Sequence, residues 1–415
     1  MQKYLGVVMK NLRLRGRISR VFVVSAAVLL TFAVTLLVSC GTPGEAAPRP
    51  PLNREILNEA EKLVLDMGIG VNIGNTLDAI GTFDWHAGES GWGNPRISRE
   101  FVAALREHGF RTVRLPVTWA EYMSPGPDYL IDEVRMARVE EVVGWILEEG
   151  MFVILNLHHD GGGADRSWMR VAADRDGQGN FYREEGVMRQ FEVVWTQIAD
   201  RFRDAPDGLL LQSMNEVGFD HLWNRWAGGQ AVQKAQAYRL LNRLNQTFVD
   251  TVRATGGGNA DRFLVVQGYW TDIYNTVDPL FQFPTDTVDY RLILSIHYYT
   301  PWDFASPDST RTSWGSVAER AELARLFNML QPRFLDHGIP IILGEFGIYR
   351  GRVERENARF EWMNAVTQTA LSMGIAPIFW CVGSQHGGHA VMGDIDRRYP
   401  FNMTDTLRRV MEANL

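Results

Sequence analysis

Eight short apolar runs, most of them followed by a helical pattern, constrain this chain more than any other feature. They are GIGVNIG (68–74), TVRLPV (112–117), FVILNLHH (152–159), LLLQSMNE (209–216), FLVVQG (263–268), LILSIHYY (292–299), PIILGEFG (340–347) and APIFWC (376–381). Between them lie amphipathic stretches such as ISREFVAALREHGF, where Ser98 is placed to cap a helix, and MARVEEVVGWILEEGM. Near-continuous apolar strands alternating with helices belong to a parallel sheet covered on both faces. Eight such units predict the α/β class and a closed (β/α)8 TIM barrel rather than an open sheet, in one domain spanning 55–415. No Gly-x-Gly-x-x-Gly follows the first run, so no dinucleotide site is signalled.

The N-terminus reads differently. Lys3, Lys10, Arg13, Arg15, Arg17 and Arg20 precede the uncharged run VFVVSAAVLLTFAVTLLVS, a basic region followed by an apolar one. The run is long enough for an uncleaved membrane helix. It ends in Leu37-Val38-Ser39-Cys40, which resembles a bacterial lipobox, in which the cysteine becomes the lipidated N-terminus. Residues 1–40 are therefore expected to be an export signal with Cys40 as the lipidation site, and the Pro/Gly/Ala-rich segment 41–54 a flexible tether. The expected location is the bacterial cell surface or periplasm as a lipoprotein, with secretion as the alternative. Membrane contact is expected only through that anchor, and the protein is expected to act as a monomer. The other cysteine, Cys381, would then have no intrachain partner.

The ends of the runs carry the chemistry. A barrel of this type builds its site at the C-terminal ends of its strands. There stand Asn72, Asn75, Arg114, His158, His159, Asn215, Glu216, Trp270, His297, Tyr299, Glu345 and Trp380. A lone strand-end Glu is usually an ion-pair partner and a lone His a satisfied core residue. The informative fact is that nearly every run ends in groups suited to one carbohydrate chemistry, and two end in Glu.

Two carboxylates facing each other across a sugar hydrolyse a glycosidic bond, one protonating the leaving oxygen and the other attacking or activating water. Glu345 follows three apolar residues and a glycine, where a carboxylate is costly unless paired or used. Arg114 and Tyr299 are its expected neighbours and are expected to keep it ionised, as a nucleophile requires. Glu216 beside that charge is expected to be the general acid. Asn215 suits a sugar 2-hydroxyl, His297 can orient a carboxyl or hydroxyl, and Trp380 can stack under a pyranose ring. The 13 tryptophans fit this chemistry but equally a large aromatic core, and a net charge of −7 argues against nucleic acid as a partner.

GVNIGNTLDA (70–79), GWGNP (91–95), VRLPVTW (113–119), ILNLHHD (154–160), MNE (214–216), IHYY (296–299) and GEFG (344–347) resemble glycoside hydrolase family 5, in order over about residues 55–410. GNTLDA with WGNP is similar to its endoglucanase and xyloglucanase branch. The resemblance implies a (β/α)8 catalytic domain, Glu216 as acid/base and Glu345 as nucleophile. It places Arg114, His158, Asn215, His297, Tyr299 and Trp380 at supporting positions. A retaining endo-β-1,4-glucanase acting on cellulose-type, mixed-linkage or xyloglucan chains is the expected function, with no cofactor. An endo-β-mannanase and a non-catalytic glycan-binding lipoprotein on the same barrel are the alternatives.

Two departures stand out. Val217 follows Glu216 where the family commonly has Pro, and Glu121-Tyr122 stands where relatives often carry Asn-His, in a loop that can reach substrate. No metal is expected. His158 and His159, adjacent on a strand, should point to opposite faces. The segment 174–185 echoes a calcium loop at Asp174, Asp176, Gln178, Gly179 and Glu185, but Gln178 is off-pattern. His386 and His389 lack a Cys or acidic triad and read as a loop over the site.

Overall fold

The computed structural model describes residues 58–80, 88–161, 168–169, 184–220, 222–224, 228–350, 353–383, 394–398 and 401–415. The expected export segment 1–40 with Cys40, the expected tether 41–54, most of the calcium-like segment and both His386 and His389 lie outside the described residues. Glu185, which is described, is engaged by the Arg243 guanidinium through two hydrogen bonds of 2.7 Å.

All eight expected runs form strands: β1 (Gly70–Asn72), β2 (Thr112–Leu115), β3 (Phe152–Asn156), β4 (Leu209–Gln212), β5 (Leu264–Gln267), β6 (Leu292–Tyr298), β7 (Ile341–Phe346) and β8 (Ala376–Phe379). Each pairs in parallel with the next, and β8 closes on β1. The crossover helices include Arg99–Glu107, whose N-cap is Ser98 with its hydroxyl accepting the Phe101 amide, and Glu133–Glu148. Among the described residues no helix is long and apolar enough to cross a membrane.

Two apolar cores follow from strand alternation. Val113, Leu115, Val153, Leu155, Leu209 and Leu211 face the surrounding helices. Ile154, Leu210, Val265, Ile293, Ile342 and Ile378 form the second core, and Ala60, Val64 and Met67 of the helix Glu59–Met67 complete it. The same parity carries polar side chains to the barrel axis. Arg114 is in register with Ile154, Asn72 with Arg114, and Asn156 with Gln212. All four are buried, so the fold builds a polar layer above an apolar plug.

One strand breaks the alternation. Ile342 faces inward, so strict alternation would turn Gly344 inward and Glu345 outward. Instead Leu343 is in register with Ile296 and Glu345 with His297, a one-residue bulge that also shifts β7 against β8. The extra residue re-aims Glu345 into the barrel. Only glycine fits there: a Cβ on Gly344 would lie 2.6 Å from Ser295 Oγ and 3.3 Å from His297 Nε2.

Candidate active site

A cavity of about 740 Å³ opens at the C-terminal ends of the strands, within the size range of ligand clefts. Its centre is formed by Asn215, Glu216, His297, Tyr299 and Glu345. Trp380, His158, His159, Trp270, Tyr274, Trp302 and Tyr349 line the cavity as well.

Glu345 is almost wholly buried. Arg114 donates to its Oε1 at 2.6 Å and the Tyr299 hydroxyl to its Oε2 at 3.1 Å. Arg114 itself is fully buried and spreads its guanidinium over four acceptors, with Asn215 Oδ1 at 2.7 Å, Gln212 Oε1 at 2.7 Å and Asn72 Oδ1 at 2.9 Å. Asn72 lies on neighbouring β1, Gln212 on β4 with Asn215 just past it, and Glu345 on β7 across the barrel, so the guanidinium plane is fixed from several sides. Both neighbours expected from the sequence, the cation and the phenol, are therefore in place on Glu345. Burial is the largest influence and pushes its carboxyl above the ordinary value of 4.5, with Arg114 opposing. The phenol of Tyr299, pushed well above 10 by burial and by Glu345, stays protonated and serves as a donor.

Glu216 lies past the end of β4 with a positive φ of 41°, a conformation uncommon for a non-glycine residue and characteristic of functional sites. Its side chain is 37% exposed against 6% for Glu345, so the two carboxylates occupy different environments. His297 Nδ1 lies 2.9 Å from Glu216 Oε1 and 3.5 Å from Glu345 Oε2. Burial pushes this imidazole down to about 3, so it is neutral at working pH, and its Nδ1 shares a hydrogen bond with the Glu216 carboxyl. A carboxylate oxygen of each glutamate and a ring nitrogen of His297 all lie within 4.8 Å of one another.

The model of the cellulase family (glycosyl hydrolase family 5) matches residues 75–386. The chain belongs to glycosyl hydrolase family 5. It is similar to Endoglucanase A of Paenibacillus barcinonensis, 32% identical over 392 residues that cover 88% of this chain and 92% of that one. The broad-specificity endoglucanase of Ruminococcus champanellensis, solved with bound cellotriose, is 33% identical with a TM-score of 0.73, covering 87% of this chain and 99% of that one. A mutant lichenase from Caldicellulosiruptor sp. F32, solved with cellotetraose, has a TM-score of 0.78 at 27% identity, covering 89% and 99%.

Within this family 5 barrel, the structure gathers Glu216, Glu345, Asn215, His297, Tyr299, Trp270, His158, His159 and Trp380 on the cavity as expected. Arg114 lies behind its wall, reaching the cavity only through the side chains it holds. Asn75 does not line it. That residue occupies a left-handed turn at φ 58°, donating its amide to Asp78 Oδ2 and accepting from Asn94. Glu121 and Tyr122 also stay off the cavity, and Tyr122 lies under the Arg135 guanidinium at 4.1 Å.

The two histidines also differ from expectation. β3 ends at Asn156, so strand alternation no longer applies at 158–159. Both rings line the cavity with centroids 4.5 Å apart, and His158 stacks on Trp380 at 5.5 Å with planes 5° apart. The geometric ground for denying them a shared ion therefore fails. Ligand atoms of Asp78, His158 and His159 fall within 4.8 Å, as do those of Glu216, His297 and Glu345. Both Asp78 oxygens already accept backbone amides, those of Asn75 and Thr76.

Sequence reasoning missed Tyr274, Trp302 and Tyr349. A signal existed for Trp302: a tryptophan 60% exposed just beyond β6, beside a polar cleft, is a stacking surface.

Proposed function

We propose that this protein is a retaining endo-β-1,4-glucanase with Glu345 as nucleophile and Glu216 as acid/base. The observation that carries the reading is the approach of the two carboxylates to within 4.8 Å, one buried on a guanidinium, the other half-exposed on a neutral imidazole. Retaining enzymes hold their carboxyl groups about 5–5.5 Å apart, whereas inverting ones need roughly 6.5–9.5 Å to admit a water. The close approach of these oxygens supports the shorter, retaining arrangement and with it two displacements.

In the first, Glu216 protonates the leaving oxygen while Glu345 attacks the anomeric carbon and forms a glycosyl–enzyme ester. In the second, Glu216 takes a proton from water, which attacks that carbon and frees Glu345. Arg114 holds Asn215 by its oxygen, leaving the Asn215 amide donor for a sugar 2-hydroxyl. Tyr299 donates to Glu345 Oε2 and so orients the attacking carboxylate.

The relatives support β-glucan as the substrate: those named are endoglucanases or a lichenase, and cello-oligosaccharides occupy their structures. The open, aromatic-lined cleft suits cleavage within a flat chain. Proton NMR of nascent products across carboxymethylcellulose, mixed-linkage glucan, xyloglucan and mannan tests the reading. β-Anomers first, from a glucan ahead of mannan, are expected. Initial α-anomers would overturn the mechanism, and faster cleavage of mannan than of every glucan would overturn the substrate.

We further propose export as a lipoprotein anchored through Cys40 and the tether 41–54, on the strength of the basic and apolar leader and its LVSC end. Cys40→Ser should block maturation. A soluble mature protein starting well past Cys40 would contradict this.

A further inference from the structure

Two strained loops meet beside the proposed acid. Glu216 at φ 41° and Trp270 at φ 55° are both non-glycine residues in left-handed backbone, a cost of about 1–3 kcal/mol each that persists only when the surroundings over-determine it. Val217 has no ring to restrain the residue before it, so the restraint on Glu216 must come from elsewhere. It comes from across the cleft edge. The Trp270 amide donates to the Val217 carbonyl at 2.9 Å, and the Phe219 amide donates to the Tyr269 hydroxyl at 2.6 Å.

The third link is made by side chains. The Trp270 indole Nε1 donates to Asp220 Oδ1 at 2.8 Å. Gly218 lies beneath that indole, where a Cβ would fall 1.9 Å from Nε1, so the sequence leaves the ring a seat that only glycine provides. Residues 217–220 after β4 and 269–270 after β5 are thus joined at three points, within four residues of Glu216. Trp270 also lines the cavity with Glu216.

We propose that Asp220 is a positioning residue for the acid–base step, holding the Trp270 indole over Gly218 so that the Trp270 amide fixes Val217 and, through it, the direction of the Glu216 carboxyl. The proposal rests on Glu216 as acid/base and concerns how that acid is aimed. Asp220 is half-buried and lies off the cavity, so it acts through Trp270 and not on the sugar.

Misaiming an acid harms only leaving groups that need a proton. The test compares kcat/KM on a β-glucan with kcat/KM on 2,4-dinitrophenyl β-cellobioside, whose leaving group departs as an anion. Asp220→Leu should lose on the order of ten-fold on the glucan and less than about two-fold on the aryl substrate. Asp220→Asn, which keeps an acceptor oxygen, should restore the glucan rate. In a Trp270→Phe background, which lacks the indole N–H, Asp220→Leu should add no further loss.

Equal losses on both substrates, no loss on the glucan, or full additivity with Trp270→Phe would each overturn the proposal. Glu216→Ala measured in parallel separates the two levels. A steep leaving-group dependence there with a flat response in Asp220→Leu removes the positioning role and leaves the acid in place. A flat response in Glu216→Ala removes the acid assignment, and the positioning role with it.

Discussion

Arg114 donates to Glu345 Oε1 at 2.6 Å deep inside the barrel, with side-chain exposures of 0% and 6%. Burying such a pair is expensive, and removing one partner strands the other charge at a cost of about 3–5 kcal/mol. The geometry also fixes a plane, since the same guanidinium holds Asn215, Gln212 and Asn72.

Arg114→Met is therefore expected to destabilise the protein by about 3–5 kcal/mol in chemical denaturation. Arg114→Lys keeps the charge but cannot reach four acceptors at once. It should retain more stability than the Met variant yet lose on the order of 10²-fold in kcat, because both Glu345 and Asn215 lose their orientation. Near-native kcat in Arg114→Lys would show that charge alone suffices.

The Gly344 bulge yields a second expectation. In Gly344→Ala the new methyl group meets Ser295 Oγ at 2.6 Å and crowds His297. Overpacking of this kind costs about 1–3 kcal/mol. Activity should fall on the order of ten-fold as Glu345 and His297 shift apart. Adding Ser295→Ala removes the nearest obstacle and should recover much of both losses. An unimpaired Gly344→Ala enzyme would contradict the role given to the bulge.

The barrel was legible because parallel strands buried on both faces read as apolar runs, and eight of them in order leave few topologies. The strand ends that carry Glu216, His297, Tyr299, Glu345 and Trp380 were legible for the same reason. The aim of Glu345 was not: counting alternation from Ile342 turns it the wrong way, and the bulge that corrects it appears only when β7 is set against its neighbours. The histidines were misread because the run 152–159 outlasts its strand, which stops at Asn156. Asn75 was grouped with the site by its place at the end of an apolar run, although its work is in a backbone turn. Tyr274, Trp302 and Tyr349 lie on segments beyond the strands, where no periodicity points toward the cleft.

The pH profile follows from the sign of the Glu345 shift. Burial raises its carboxyl above 4.5, and only the ionised form attacks. As pH falls through that raised value the nucleophile is protonated and the rate drops. The acid limb of kcat/KM, which reports the free enzyme's carboxyl pair, should be centred above 4.5. His297, pushed down to about 3, stays neutral through this window and adds no limb of its own. A limb centred at or below 4.5 would contradict the dominance of burial.

Glu345 as the nucleophile of a double displacement is tested most directly by trapping its ester. A 2-deoxy-2-fluoro-β-cellobioside with an activated leaving group slows the second displacement more than the first, so the glycosyl–enzyme accumulates. Peptide mapping by mass spectrometry should then find one fluorosugar per chain, attached within IILGEFGIYR at Glu345, and Glu345→Gln should take up none. A label on Glu216 or any other carboxylate, or inactivation without a covalent adduct, would contradict the account.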